Sequence, residues 1–137
     1  MNIAIVFDSE TGTTKAAAEA MAERVRAEGH HCSVSSVHDT DPATVSAADA
    51  ICVGSWCKGL FFVAQHATGA TMDFIDGLGN LDGKPAAVFC TYKTAVGGML
   101  RKMAARLESR GANVTGSFKS RGPVAAEGFT NWIKGLD

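Results

Sequence analysis

The sequence predicts a doubly wound α/β domain, a five-stranded parallel sheet of strand order 2-1-3-4-5 with helices on both faces. Three observations predict it. Apolar, β-rich runs alternate with helix-forming segments along all 137 residues. One of the runs, Ala50-Ile51-Cys52-Val53-Gly54-Ser55, is continuous and bounded by glycine, the signature of a parallel strand buried on both faces. The 15 glycines fall mainly at the ends of apolar runs, where tight strand-to-helix turns need them. Parallel strands must be joined by crossovers, and right-handed crossovers place helices on either side of the sheet.

In chain order, a first strand is expected from Asn2 to Asp8, followed by a hydroxyl-rich turn and a helix from Thr13 to Glu28 that Gly29 stops. Met21 and Val25, with Ala17 and Ala18 between turns, form a stripe that can lie on a sheet, and Glu19, Glu23, Arg24 and Arg26 face outward. His31 to Val37 alternates and reads as an edge or half-covered strand, with His30 and His31 as turn residues at its start. Asp39-Thr40-Asp41-Pro42 caps a short helix, with proline at its favoured first position. After the third strand, Ala50 to Ser55, a long loop without regular structure is expected from Trp56 to about Thr71, and then a helix from Met72 to Leu78. Ala86 to Thr91 is the fourth strand, and the loop Tyr92 to Gly98 leads into a helix from Met99 that Gly111 closes. That helix places Leu100, Met103, Ala104 and Leu107 on one face and Arg101, Lys102, Arg106 and Arg110 on the other. The fifth strand runs from Asn113 to about Phe118, and a terminal helix from Ala125 to Leu136.

The chain is the size of a single domain, 1–137, and its 46% hydrophobic residues suffice for one core without metal or disulfide staples. A net charge of −1, from 13 basic and 14 acidic side chains, argues against a nucleic-acid or membrane-surface role carried by a basic face. Cys32, Cys52, Cys57 and Cys90 contain no C-x-x-C pair and no zinc-type spacing, so structural thiols in a reducing cytosol are expected and no metal site. No apolar run approaches the roughly 18 to 20 residues that cross a bilayer, and no secretory n-region opens the chain. The expectation is a cytoplasmic protein with no membrane insertion.

The stretch richest in chemistry is Ser9-Glu10-Thr11-Gly12-Thr13-Thr14. Between a strand and a helix it gathers hydroxyl donors, free backbone N–H groups and the positive end of a helix dipole around one point, which suits an anion. Helix capping alone would use the same residue types. In the order 2-1-3-4-5, ligands bind at the carboxyl ends of the strands between the first and third. The hydroxyl turn, the Trp56 loop and the Tyr92 loop all fall at that edge, and their coincidence favours the anion.

These residues resemble the flavodoxin family. Ser9-Glu10-Thr11-Gly12-Thr13-Thr14 fits the family's (S/T)-x-T-G-x-T phosphate loop without exception; Gly54-Ser55-Trp56 with Gly59, and Phe89-Cys90-Thr91-Tyr92 followed by Gly97-Gly98-Met99, fit in position and loosely in residue type. The resemblance covers essentially the whole chain. It implies FMN as ligand, its phosphate in the first loop and its flavin ring between the other two. The binding residues implied are Ser9, Glu10, Thr11, Gly12, Thr13 and Thr14 in the first, Ser55, Trp56, Cys57, Lys58 and Gly59 in the second, and Thr91, Tyr92, Lys93 and Gly97 in the third. Trp56 and Tyr92 are stacking faces for a flat ring. Thr91 and the backbone from Cys57 to Gly59 could meet its polar edge. Lys58 and Lys93 depart from the carboxylates with which typical electron-carrying members surround the ring, and they predict a less negative potential. Phe61, Phe62 and Val63 form an apolar tip that could cover the ring or dock a partner.

Two functions follow from the resemblance. One is an electron carrier between redox partner proteins, a reductase and an acceptor, in which the flavin does the chemistry and no side chain is catalytic. The other is an FMN-dependent oxidoreductase, a reductase or oxidase with its own small substrate, such as a quinone or a protoporphyrinogen-type compound. A flavin-free binding domain that has kept the shape of the loop is a third reading. A phosphoacceptor receiver is rejected because the third strand ends Val53-Gly54-Ser55, without the aspartate it needs, and a low-molecular-weight phosphatase because Ser9 to Thr14 holds neither cysteine nor arginine. A G-x-x-x-x-G-K-[ST] nucleotide loop is absent.

Overall fold

The computed structural model describes residues 1–60, 63–93 and 96–136. In chain order the elements are β1 (Asn2–Asp8), α1 (Thr13–Ala27), β2 (His31–Ser36), α2 (Pro42–Ser46), β3 (Ala50–Trp56), β4 (Lys58–Leu60), β5 (Val63–His66), α3 (Gly69–Asp76), β6 (Pro85–Thr91), α4 (Met99–Ser109), β7 (Asn113–Ser120) and α5 (Phe129–Lys134). The main sheet is parallel, in the order β2-β1-β3-β6-β7, which is the order 2-1-3-4-5 counted over its own five strands.

Alternate residues of the central strands feed two cores. Ile3, Ile5 and Phe7 of β1 pack with Ala18, Met21, Ala22 and Val25 of α1 and with Phe129, Trp132 and Ile133 of α5. On the other face Ala4 and Val6, with Ile51, Val53 and Val88, meet Phe74 and Ile75 of α3 and Met99, Met103 and Leu107 of α4. The stripe of α1 is therefore buried as its spacing requires. The half-exposed pattern of β2 marks it as an edge strand.

Four elements differ from the sequence expectation. The long segment after β3 carries an antiparallel hairpin, β4 paired with β5, and α3 already begins at Gly69. Strands of three and four residues are too short to show a periodicity, while the Thr68 side chain caps α3 by accepting from the Thr71 N–H and so sets its start three residues before Met72. β7 continues to Ser120 because Cys90 and Thr91 still have partners there, Lys119 and Ser120. The terminal helix starts at Phe129 rather than Ala125, since the backbone at Gly128 takes φ 87°, outside the helical region. Phe61 and Phe62 of the expected apolar tip, and Thr94 and Ala95 of the Tyr92 loop, lie outside the described residues.

None of the four cysteines is in a disulfide; Cys52 and Cys90 are buried and Cys32 and Cys57 partly exposed. Burial raises every one of these thiols: Cys90 to about 12, with Cys57 adding to the rise and Lys119 opposing it, Cys32 to about 11, with Arg26 opposing and Glu23 adding, and Cys52 and Cys57 in the same direction. A thiol that stays protonated in the fold but ionises near 9.0 when unfolded binds more protons in the native state between those two values. Stability is therefore full below the unfolded value and falls as pH rises above it, by about 1.4 kcal/mol per pH unit for each such buried thiol. Denaturation of the native chain and of Cys90→Ala between pH 8.5 and about 10.5 checks this; the variant should show the shallower loss.

Candidate functional site

The turn between β1 and α1 is exposed from Glu10 to Gly12. Gly12 caps α1 in the left-handed region, φ 92°, with no side chain capping the helix and no acidic residue in its first turn. The Ser9 hydroxyl accepts from the Gly12 N–H at 3.1 Å, which closes the turn, and the Thr11 and Thr13 hydroxyls lie 3.4 Å apart. Ser9 and Thr13 are half-buried, and Glu10, Thr11 and Gly12 exposed. Nothing lies within 4 Å of where a Cβ on Gly12 would stand, so the room over the peptide is open to a ligand. Hydroxyls, the N–H groups at the start of α1 and the dipole of that helix together fit a phosphate dianion.

Thr14 behaves differently. It is 1% exposed, and its hydroxyl meets that of Thr91 at 2.6 Å, so the helix that follows the anion turn is pinned to the end of β6. Thr91 is 4% exposed and is paired with Trp56 across β3 and β6. The Thr91 carbonyl accepts from the Cys57 N–H at 2.9 Å. Trp56 and Tyr92 are both half-buried, one at the end of β3 and the other just past β6. The three segments singled out by sequence thus share one edge and are joined by hydrogen bonds.

Ser55 is fully buried and turns away from solvent: its hydroxyl donates to the Trp56 carbonyl and accepts from the Thr68 N–H at 3.2 Å. It anchors the segment that returns from the hairpin carrying Lys58 and Gly59 on β4. Lys93 and Gly97 are exposed on the segment between β6 and α4, with Gly97 at φ 58°.

Two groups of residues in this region escape the sequence reading. Asp8, 7% exposed at the end of β1, accepts from the Thr68 hydroxyl at 2.5 Å and lies 3.1 Å from His38 Nε2. A buried carboxylate at the base of an anion turn opposes the anion, and donors on both of its oxygens offset that charge. The second group surrounds Tyr92. Lys119 Nζ stands 5.9 Å and Arg121 Cζ 5.4 Å from the centroid of its ring, and the Tyr92 N–H donates to the Ser120 carbonyl at 3.1 Å. The available signal was topological: in a parallel sheet the residues ending β7 must lie beside those ending β6.

The sequence matches the family model described as Flavodoxin over residues 5–130. Among solved structures it is similar to the two-electron reduced flavodoxin of Megasphaera elsdenii, with 25% identity, a TM-score of 0.82 and 96% of each chain covered. A flavodoxin from the domain Archaea shares 24% identity and a TM-score of 0.75 over 99% of this chain and 93% of that one. The chain also matches one third, 33%, of the rubredoxin oxygen:oxidoreductase of Desulfovibrio gigas, covering 98% of itself at 18% identity and a TM-score of 0.75, a likeness of fold. Among curated proteins there is no significant match.

Proposed function

The chain belongs to the flavodoxin family, and from that premise we propose that it carries electrons between a reductase and an acceptor protein, with FMN held across the edge formed by β1, β3 and β6. FMN is the family's cofactor, and when bound it supplies one- and two-electron transfer. The observation that carries the reading is the convergence of an exposed, hydroxyl-rich turn at the start of α1 with two half-buried aromatics on hydrogen-bonded segments of the same edge.

In this reading the chain binds and orients. The N–H groups of Glu10, Thr11, Thr13 and Thr14 and the hydroxyls of Ser9, Thr11 and Thr13 hold the phosphate, and Thr14 bonds to Thr91 and fixes the distance between the phosphate end and the ring end. Trp56 and Tyr92 flank the ring and keep water from its faces. The backbone from Cys57 to Gly59 meets its polar edge, and Ser55 and Gly97 hold the two ring segments in place. Four cysteines outside any disulfide suit a reducing, cytoplasmic setting.

Lys93, joined by Lys119 and Arg121, favours the extra negative charge of a reduced flavin. Solvent screens exposed cations, so each contributes about 20 mV. A redox titration of the FMN-loaded variant Lys93→Gln/Lys119→Gln/Arg121→Gln is expected to give a potential lower than the parent by some tens of millivolts, and equal potentials would remove this electrostatic role.

The second reading, an FMN-dependent reductase or oxidase acting on a quinone or a protoporphyrinogen-type compound, draws on the long segment after β3, which carries the hairpin β4–β5. Steady-state turnover separates the two. A carrier reduces a quinone with a pyridine nucleotide only when a separate reductase is added, whereas an enzyme turns over alone.

A further inference from the structure

The cations around Tyr92 form a preorganised cluster on a chain whose overall charge is −1. Lys93, Lys119 and Arg121 are all exposed, and among the described residues none of them is paired with a carboxylate. Lys119 and Arg121 flank Ser120, which is 5% exposed and points the other way. The Ser120 hydroxyl lies 2.8 Å from the Gly122 carbonyl and 3.1 Å from the Val124 carbonyl, and the Gly122 N–H lies 3.4 Å from the same oxygen. The turn that presents Arg121 is thus tied from beneath, while the ring of Tyr92 holds both cationic heads above it. Ordering these long side chains in advance removes part of the entropy that binding would otherwise cost.

The same turn carries Val124, which at 60% is the most exposed large hydrophobic side chain among the described residues. A small anion has no use for an exposed valine and a half-buried tyrosine. A protein surface does, because interfaces combine an apolar or aromatic centre with a charged rim that steers encounter.

We propose that the turn from Lys119 to Val124, together with Tyr92 and Lys93, is a docking surface for an acidic protein partner. It deepens the electron-carrier reading and rests on it, since the surface borders the ring segments of the site and would bring the partner beside the flavin. The charge of the cluster selects carboxylate-rich partners, and Val124 and Tyr92 give the contact its apolar centre.

The test is an NMR titration of the 15N-labelled, FMN-supplied protein with a hexaglutamate peptide and, separately, a hexalysine peptide. Hexaglutamate is expected to shift the amides of Tyr92, Lys93, Lys119, Arg121 and Val124 at low salt, with the shifts fading as salt rises through about 0.2 M. Hexalysine is expected to leave them in place. Lys119→Gln/Arg121→Gln should weaken the hexaglutamate response severalfold, whereas Arg101→Gln/Lys102→Gln, which removes two cations from α4, should leave it unchanged. Shifts elsewhere on the molecule, an equal response to hexalysine, or equal loss in both variants would overturn the proposal. The visible spectrum of the same samples reports flavin binding, so a protein without flavin that still binds hexaglutamate at this turn fails the cofactor reading and keeps the docking surface.

Discussion

Gly12→Val is expected to weaken FMN binding at least about a hundredfold while the domain still folds. At φ 92° the Gly12 backbone lies where a Cβ is disfavoured, by about 1–2 kcal/mol for an ordinary residue and more for a β-branched one. Without ligand, the variant relieves that strain by moving the turn, which is exposed and has nothing within 4 Å to hold the new side chain. Binding must then restore the strained turn and also find room for the phosphate where the valine stands. Together these exceed the about 2.7 kcal/mol that corresponds to a hundredfold change. A fluorescence titration with FMN measures the affinity, and a thermal melt without FMN shows that the fold is retained. Retained affinity would mean that the phosphate does not approach this peptide.

Gly54→Ala is expected to cost about 3 kcal/mol or more of stability, and it acts through packing instead of conformation. A Cβ on Gly54 would lie 2.0 Å from Cζ and 2.2 Å from Cε1 of Phe89, its neighbour across β3 and β6. Both residues are fully buried in the centre of the sheet, so neither strand has space to withdraw. Gly54 immediately precedes Ser55 and Trp56, and displacement of β3 would move the ring segment with it. Urea denaturation should show a large fall in midpoint. Gly54→Ala combined with Phe89→Leu should recover part of the loss, because leucine lacks the ring atoms that collide. If the two substitutions were simply additive, the clash would not be the cause.

The parts of the molecule legible in sequence were those with a local signal. The strands at Asn2 and Ala50 carry enough apolar residues to declare themselves, and the stripe of α1 has the helical period. The turn between β1 and α1 was legible because hydroxyls and glycine between a strand and a helix mark such a turn wherever they occur. Thr14 shows where locality ends: its residue type placed it among phosphate donors, but its partner is Thr91, 77 positions away. Asp8 carries no local signal for the same reason, since its partners His38 and Thr68 come from two other segments. The cations beside Tyr92 come from the end of β7 and the residue after it, Lys119 and Arg121, and meet Tyr92 only through the pairing of β6 with β7. The hairpin after β3 escaped because its strands are shorter than two full alternations.

The most direct test of the account compares FMN with riboflavin, which differ only in the phosphate. If the turn from Ser9 to Thr14 holds that phosphate through several charge-assisted hydrogen bonds, FMN binds at least about a hundredfold more tightly than riboflavin, and Gly12→Val brings the two affinities close together. Equal binding of both flavins by the parent protein, or no change in the visible spectrum of FMN on mixing, would contradict it.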